Sequence, residues 1–350
     1  MDSSSPDDAD THTLDDGQSY RRARTIFHHR RADNDTLNST RSIYASNVVY
    51  TELHGRRYCK DYYMPNDEDE QTRLQMLNGV YYSLFGHRLT TVPLTNPKKI
   101  LDIGTGTGEW AMAMGDEYPE TEVIGTDIAK IQPGAAPLNV FFEIDDAEEE
   151  HGWTWADDEF DFIHFRYMCG AFTSWDHIYR QTFKHLKPGG WIEVIDFDDH
   201  ATLLQYFPSS TSAVPRFLSS IVEGCRLAGR PRTTTHLEPA SLAGLGFVDV
   251  RCTTYDIPMG VWPDDAQAQK NGKHSLVTML LGLEAVSLRV LTEQLGWSVD
   301  EVRNICDAVT RDVWKIATDA DRAHGFGVKL KVLVARKPDA GEGKGEGEGG

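Results

Sequence analysis

Leu101-Asp102-Ile103-Gly104-Thr105-Gly106-Thr107-Gly108-Glu109 carries an apolar, strand-like run into three alternating glycines and out into a helical segment. Gly104 and Gly106 let the backbone turn sharply and approach a ligand with no Cβ in the way. The helix opening near Gly108 presents unpaired N–H groups over the same loop. Outward from the loop, 99–103 reads as a strand, 109–118 as a helix and 122–126 as a second strand. Two such units in succession predict an α/β architecture with a mostly parallel sheet.

Five further β-rich runs follow, at 139–144, 160–165, 191–196, 247–255 and 328–335, so seven strands are expected. The helix expected over 174–186 stops at Lys187-Pro188-Gly189-Gly190, where proline ends it and the glycines permit the turn into the next strand. Residues 42–92 read as a helical lead-in and 257–325 as a helical insertion before the last strand, both covering the mouth of the sheet. The expected division is an arm at 1–40, one domain at 41–337 with a ligand-binding half at about 96–200, and a Gly/Glu tail at 338–350.

The 350 residues, 40% of them hydrophobic, suffice for a sizeable core without covalent staples. The five cysteines, Cys59, Cys169, Cys225, Cys252 and Cys306, are scattered and form no CxxC pair, so neither a zinc site nor a disulfide framework is expected. A formal charge of −19 argues against nucleic acid as the main ligand. Residues 1–20 are rich in Asp and nearly devoid of apolar side chains, the reverse of a secretory leader, and the most apolar run, 275–288, is short for a bilayer and contains Glu284. An intracellular, soluble protein with no transmembrane segment is expected. Arg21-Arg22-Ala23-Arg24 and His28-His29-Arg30-Arg31 read as a nuclear import signal or as a solvated basic arm.

The glycine spacing is G-x-G-x-G, whereas a dinucleotide loop prefers G-x-G-x-x-G. Asp102 stands in the strand just ahead, awkward beside pyrophosphate but useful near a positively charged ligand. S-adenosylmethionine carries a sulfonium and an ammonium and has no phosphate. Asp127, 19 residues after Gly108 and at the end of the second strand, can accept both ribose hydroxyls. After the third strand, Asp145-Asp146-Ala147 places a carboxylate where an adenine amino group would lie, although these two acids also begin a stretch running to Glu150, so either one can instead cap a loop facing water. His164 alternates with Phe162 and Arg166 on the fourth strand and reads better as a satisfied half-buried histidine than as a base.

These residues resemble the class I S-adenosylmethionine-dependent methyltransferases, a Rossmann-like fold of seven strands with helices on both faces and an antiparallel last strand. More narrowly, Pro65-Asn66-Asp67-Glu68-Asp69-Glu70-Gln71-Thr72-Arg73-Leu74 resembles the P-N-D-x-x-E-x-x-R-L lead-in of LaeA-like fungal methyltransferases. Ile131-Gln132-Pro133, Pro137-Leu138-Asn139-Val140, the 160–166 strand and Lys187-Pro188-Gly189-Gly190-Trp191-Ile192-Glu193 match as well. The resemblance is strong over about 58–200 and implies cofactor contact through Asp102, Gly104, Thr105, Gly106, Asp127, Ile128, Asp145 or Asp146, and Arg166, with Tyr62 and Arg73 covering the methionine end. It also implies a regulator of secondary metabolism and development, in nucleus and cytoplasm, with protein partners such as a velvet-type regulator, a related methyltransferase subunit or a membrane-bound scaffold.

Methyl transfer from a sulfonium is an in-line displacement that chiefly requires alignment, so a strong base is optional. No Asn-Pro-Pro-Tyr follows the fourth strand, where His164-Phe165-Arg166-Tyr167-Met168 stands, and no Pro-Cys pair offers a thiolate, which speaks against methylation of nucleic-acid amino groups or pyrimidine carbon. Tyr62, His164, Tyr167, Asp196, Asp198 and His200 are polar groups expected near the mouth, and none is assigned as a base. Two readings of function stand: a regulatory methyltransferase working in a protein complex, or an enzyme that methylates oxygen or nitrogen of a small natural product.

Overall fold

A computed structural model describes residues 48–149, 151–208, 211–319 and 322–342 of the chain. The expected arm at 1–40, with its basic cluster, and the tail beyond 342 lie outside the described residues. The chain opens with a hairpin, β1 (Tyr50–Leu53) and β2 (Arg56–Cys59), followed by helix α1 (Glu68–Leu84). Next come β3 (Lys99–Ile103), α2 (Glu109–Glu117), β4 (Glu122–Asp127), β5 (Val140–Ile144), β6 (Phe160–Arg166), α3 (Trp175–His185) and β7 (Leu186–Asp198). The remainder runs α4 (Asp199–Leu204), α5 (Val214–Leu227), a 3₁₀ turn at Thr235–Leu237, α6 (Pro239–Ala243), β8 (Val248–Pro258), α7 (Ala266–Leu295), α8 (Val299–Ala317) and β9 (Gly327–Arg336).

Seven strands form one sheet in the order β5-β4-β3-β6-β7-β9-β8, with β9 antiparallel to both neighbours and every other pairing parallel. The chain leaves β3 toward β4 on one side and returns to β6 on the other, so the order reverses at β3. In open parallel sheets that reversal leaves a crevice at the carboxyl ends of the strands. Alternation along the strands feeds two cores: Ile100 and Phe162 face the layer holding Trp110, Met114 and Leu288, while Leu101, Ile103, Ile163 and Phe165 face Ile178, Tyr179 and Leu242. With both faces covered, the central strands are near-continuous apolar runs, as a buried parallel sheet requires.

The seven strands and the insertion stand where they were expected. Helix α1 forms the expected helical lead-in, and the described residues ahead of it add a hairpin in which β1 and β2 pair through a two-residue turn at His54 (φ 54°) and Gly55 (φ 82°). Two positive φ values in a two-residue loop match the right-handed twist of the flanking strands. The Lys187–Gly190 segment lies within β7 as a bulge, with Leu186 opposite Phe160 and Trp191 opposite Phe162, and Gly189 supplies the positive φ of 78° it requires. The insertion is two long helices, and α7 extends the apolar run at 275–288 to 30 residues. By length and composition α7 suffices to cross a membrane, yet its face bearing Leu276, Leu283, Ala285 and Leu288 is buried, and it packs against α1, α5 and α8.

Candidate active site

The glycine loop is left-handed at each glycine, with φ of 70°, 57° and 84° at Gly104, Gly106 and Gly108, a conformation that disfavours any side chain. A Cβ on Gly104 would collide with the Met168 thioether, and one on Gly108 would meet the Phe142 ring at 2.5 Å. The loop is held from below by Thr105 N–H donating to Thr126 O (2.9 Å), and from the side by Gln132 Nε2 donating to Gly106 O (2.8 Å). Asn139 Nδ2 donates to the carbonyls of Gly115, Tyr118 and Thr121 just past α2. Both side chains belong to the motifs that carried the family resemblance, and both support the loop and its helix.

Asp102 is buried. Its Oδ2 accepts from Thr105 Oγ1 (2.7 Å) and its Oδ1 lies 2.7 Å from His164 Nδ1, directly across the β3–β6 register. His164 is fully buried, stacks on the Trp110 indole at 3.8 Å and leaves Nε2 without a partner in the structure. It lies behind the cleft wall, so its visible role is to hold Asp102 and, through it, the loop. Asp127 Oδ2 accepts from Gly106 N–H (2.9 Å) and Oδ1 from Ala129 N–H (2.9 Å). Burial pushes its carboxyl up to about 6, against the pull of those amides. Asp145 is raised further, to about 7, again by burial first. Asp146, by contrast, is tied to Lys60 Nζ at 2.8 Å. The two adjacent acids thus have different work: Asp145 faces the cleft without a lysine partner, whereas Asp146 anchors the strap that leads out of the hairpin.

The roof comes from residues 59–66 and α1. Asp67 caps α1 by accepting from Glu70 N–H (3.1 Å) and pairs with Arg56, at 2.7 Å from Nε. Glu70 and Arg73 form a buried two-pronged ion pair at 2.8 and 2.6 Å. Of the eleven residues expected to bind cofactor, Tyr62, Asp102, Gly104, Thr105, Gly106, Asp127, Ile128, Asp145, Asp146 and Arg166 line this cleft. Arg73 does not. Its guanidinium lies over the Tyr167 ring (5.3 Å) and borders a second cavity behind that ring, while its partner Glu70 faces the cleft. Arg166 is half-buried, donates to Asn78 Oδ1 (2.8 Å) and sits over the Tyr81 ring (4.7 Å), its basicity lowered by desolvation.

Sequence reasoning missed Met168, Asn78, Tyr81 and Arg230 as cleft residues. Arg230 follows α5 and reaches back to Glu148 (2.9 Å), 82 residues away, and no local pattern signals that. Of the polar groups expected near the mouth, Tyr62 and Tyr167 line the cleft, Asp196 is buried against His236, and Asp198 borders the second cavity while paired with Lys331 (2.7 Å). The side chain of His200 lies outside the described residues.

The cleft fits an S-adenosyl ligand on its own chemistry. Glycines leave room for close approach, Asp127 and Asp145 offer half-buried acceptors, and the wall is rich in carboxylates toward a cationic ligand. Two cleft-lining residues also keep buried polar atoms without a partner, the Tyr81 hydroxyl and Asn66 Nδ2, and a buried polar group needs one.

Comparison with known proteins agrees. A family model described as a methyltransferase domain matches residues 79–227. Methyltransferase pytC of Aspergillus terreus is 35% identical over 315 residues, covering 87% of this chain and 93% of pytC. Secondary metabolism regulator LAE1 of Cochliobolus heterostrophus is 32% identical over 305 residues, 84% of this chain and 96% of LAE1. Protein-methionine methyltransferase laeA of Emericella nidulans is 26% identical over 314 residues, 85% of this chain and 79% of laeA. With a seven-stranded sheet of this order, a glycine cradle ringed by carboxylates and relatives that match nearly end to end, the chain belongs to the LaeA-like fungal methyltransferases, within the class I S-adenosylmethionine-dependent family.

Proposed function

We propose that this methyltransferase serves in the control of secondary metabolism and development, in nucleus and cytoplasm, as one member of a protein complex. The observation that carries the reading is the match to LAE1 across 96% of that regulator's length. Partners of the kind expected are a velvet-type regulator, a related methyltransferase subunit or a membrane-bound scaffold. Purification from native extract tests this: a stoichiometric protein partner supports regulation, and a solitary monomer overturns the complex.

S-adenosylmethionine, when bound, supplies an electrophilic methyl group on a sulfonium. The residues that would hold it are Asp127 at the ribose, Asp145 at the adenine side, the 104–106 backbone in close approach, and Tyr62, Tyr81 and Arg166 toward the methionine end. Alignment is the protein's main contribution, and Asp102 and Gln132 supply it by fixing the loop on both sides. Titration calorimetry with S-adenosylhomocysteine checks the assignment: the wild type is expected to bind in the micromolar range and Gly106→Arg to lose binding. Binding of NAD in place of the thioether would overturn it.

A second reading, methylation of a small natural product, draws support from the cavity of about 400 Å³ beside the cleft.

A further inference from the structure

Tyr167 separates two compartments. It borders the cofactor cleft on one side and the second cavity on the other. Its φ is +62°, a left-handed conformation that a bulky residue adopts only when its surroundings enforce it. Those surroundings are the Arg73 guanidinium over the ring at 5.3 Å, itself locked to Glu70, and the Phe197 ring edge-on at 5.9 Å. A strained aromatic partition held by a buried ion pair, with room on both sides, is a built feature.

The second cavity, about 400 Å³, falls within the roughly 300–1,000 Å³ of small-molecule sites. Its walls are apolar and come from three helices: Phe217 and Ile221 of α5, Leu283 and Val286 of α7, and Val309 and Val313 of α8. Arg73 and Arg232 border it beside Tyr167, and the Thr233–Thr235 segment adds further polar lining. Asp198, also in the lining, is paired with Lys331 at 2.7 Å. A cationic head would have to shed its water in a chamber walled largely by apolar side chains, whereas a hydroxyl would meet donors and an aromatic wall.

We infer that this cavity is the binding site for the methyl acceptor, and that the acceptor is a small, largely apolar molecule bearing an uncharged hydroxyl directed at Tyr167. The inference rests on the cofactor reading of the neighbouring cleft and names the class of molecule that would share Tyr167 with it. Cationic protein side chains are disfavoured at this site by the same cost of losing water. A regulatory role is compatible with such an acceptor.

Titration calorimetry on the full chain, with and without S-adenosylhomocysteine, uses 2-naphthol as probe and 2-(aminomethyl)naphthalene as its cationic counterpart. 2-Naphthol is expected to bind one site at least tenfold more tightly than the amine. Leu218 lines the cavity from α5, off both α7 and the Arg73–Glu70 pair, so Leu218→Trp narrows it. The variant should weaken 2-naphthol binding at least tenfold and leave thioether binding within twofold, with Val313→Phe on α8 as an independent filler should the first fail to fold. Absence of naphthol binding, equal or tighter binding of the amine, or unchanged naphthol binding in both fillers overturns the inference. Failure of the thioether to bind the wild type overturns the cofactor reading instead, and the titration without thioether still decides the cavity.

Discussion

The same three residue types are assembled twice in this protein, with different consequences. At the cleft, His164 stacks on Trp110 at 3.8 Å and 7° and reaches Asp102 through Nδ1. Near the end of β7, His236 stacks on Trp175 at 4.2 Å and 6° and reaches Asp196 through Nε2 at 3.0 Å. The second set is closed, because His236 Nδ1 also lies 3.0 Å from Thr233 O and Asp196 accepts from Cys169 N–H at 3.2 Å. The first leaves Nε2 without a partner, and the remaining carboxylate oxygen of Asp102 holds Thr105 in the glycine loop. An indole, an imidazole and a carboxylate therefore make a strut. What the strut bears decides whether it is structural, as at Thr233, or supports chemistry, as at the loop.

Removing the carboxylate from each strut separates the two roles most sharply. Asp196→Ala leaves His236 and the Cys169 amide buried without an acceptor and should cost about 3–5 kcal/mol, read as a lowered urea midpoint, with thioether affinity of the folded protein changed less than threefold. A loss under about 1 kcal/mol would break the comparison. Asp102→Ala should cost less stability, about 2–3 kcal/mol, but weaken S-adenosylhomocysteine binding roughly ten- to a hundredfold because the loop loses its anchor at Thr105.

Asp127→Asn puts a donor NH2 against either the Gly106 or the Ala129 N–H, so it removes one loop bond together with a ligand acceptor. Calorimetry should show about ten- to a hundredfold weaker thioether binding, with a loss of stability of about 1 kcal/mol. For the wild type, that affinity should fall as pH drops through about 6, since a protonated Asp127 surrenders one of its acceptor sites, and the variant should show a flatter profile. Replacing each histidine by phenylalanine preserves the stack. His236→Phe should cost about 2 kcal/mol, His164→Phe only about 1, because one nitrogen of His164 already lacks a partner.

The smallest effect concerns Asp145. Its carboxyl is raised in the folded chain, so the stabilisation it contributes is complete below about pH 4 and is lost as pH rises through about 7. Asp145→Asn should therefore stabilise the ligand-free protein by about 1 kcal/mol at pH 8 and leave it unchanged near pH 4, in thermal melts at both values.

Local chemistry made the strands, the glycine loop and Asp127 legible, since each depends on residues adjacent in sequence and on a period the eye can count. The lead-in motif was legible as a pattern but not as a mechanism. Asp67 caps α1, while Glu70 and Arg73 face opposite sides of Tyr167, a division that only the packed helix reveals. The hairpin at 50–59 escaped notice because its turn is His-Gly rather than Asn-Gly, and the strands flanking it are only four residues each. The second strut was invisible for a different reason. Asp196 and His236 lie 40 residues apart, and Trp175 comes from a third element, so nothing short of the assembled fold unites them.

Helix α7 touches both halves of this machinery. Its middle turns, from Thr278 to Val286, wall the apolar chamber, and one turn further on Arg289 Nη1 grips the carbonyls of Lys60 and Tyr62, at 2.9 and 3.0 Å, in the strap over the nucleoside crevice. One continuous rod is thus clamped at one station and lines a room at another, so the two compartments share a single supporting part.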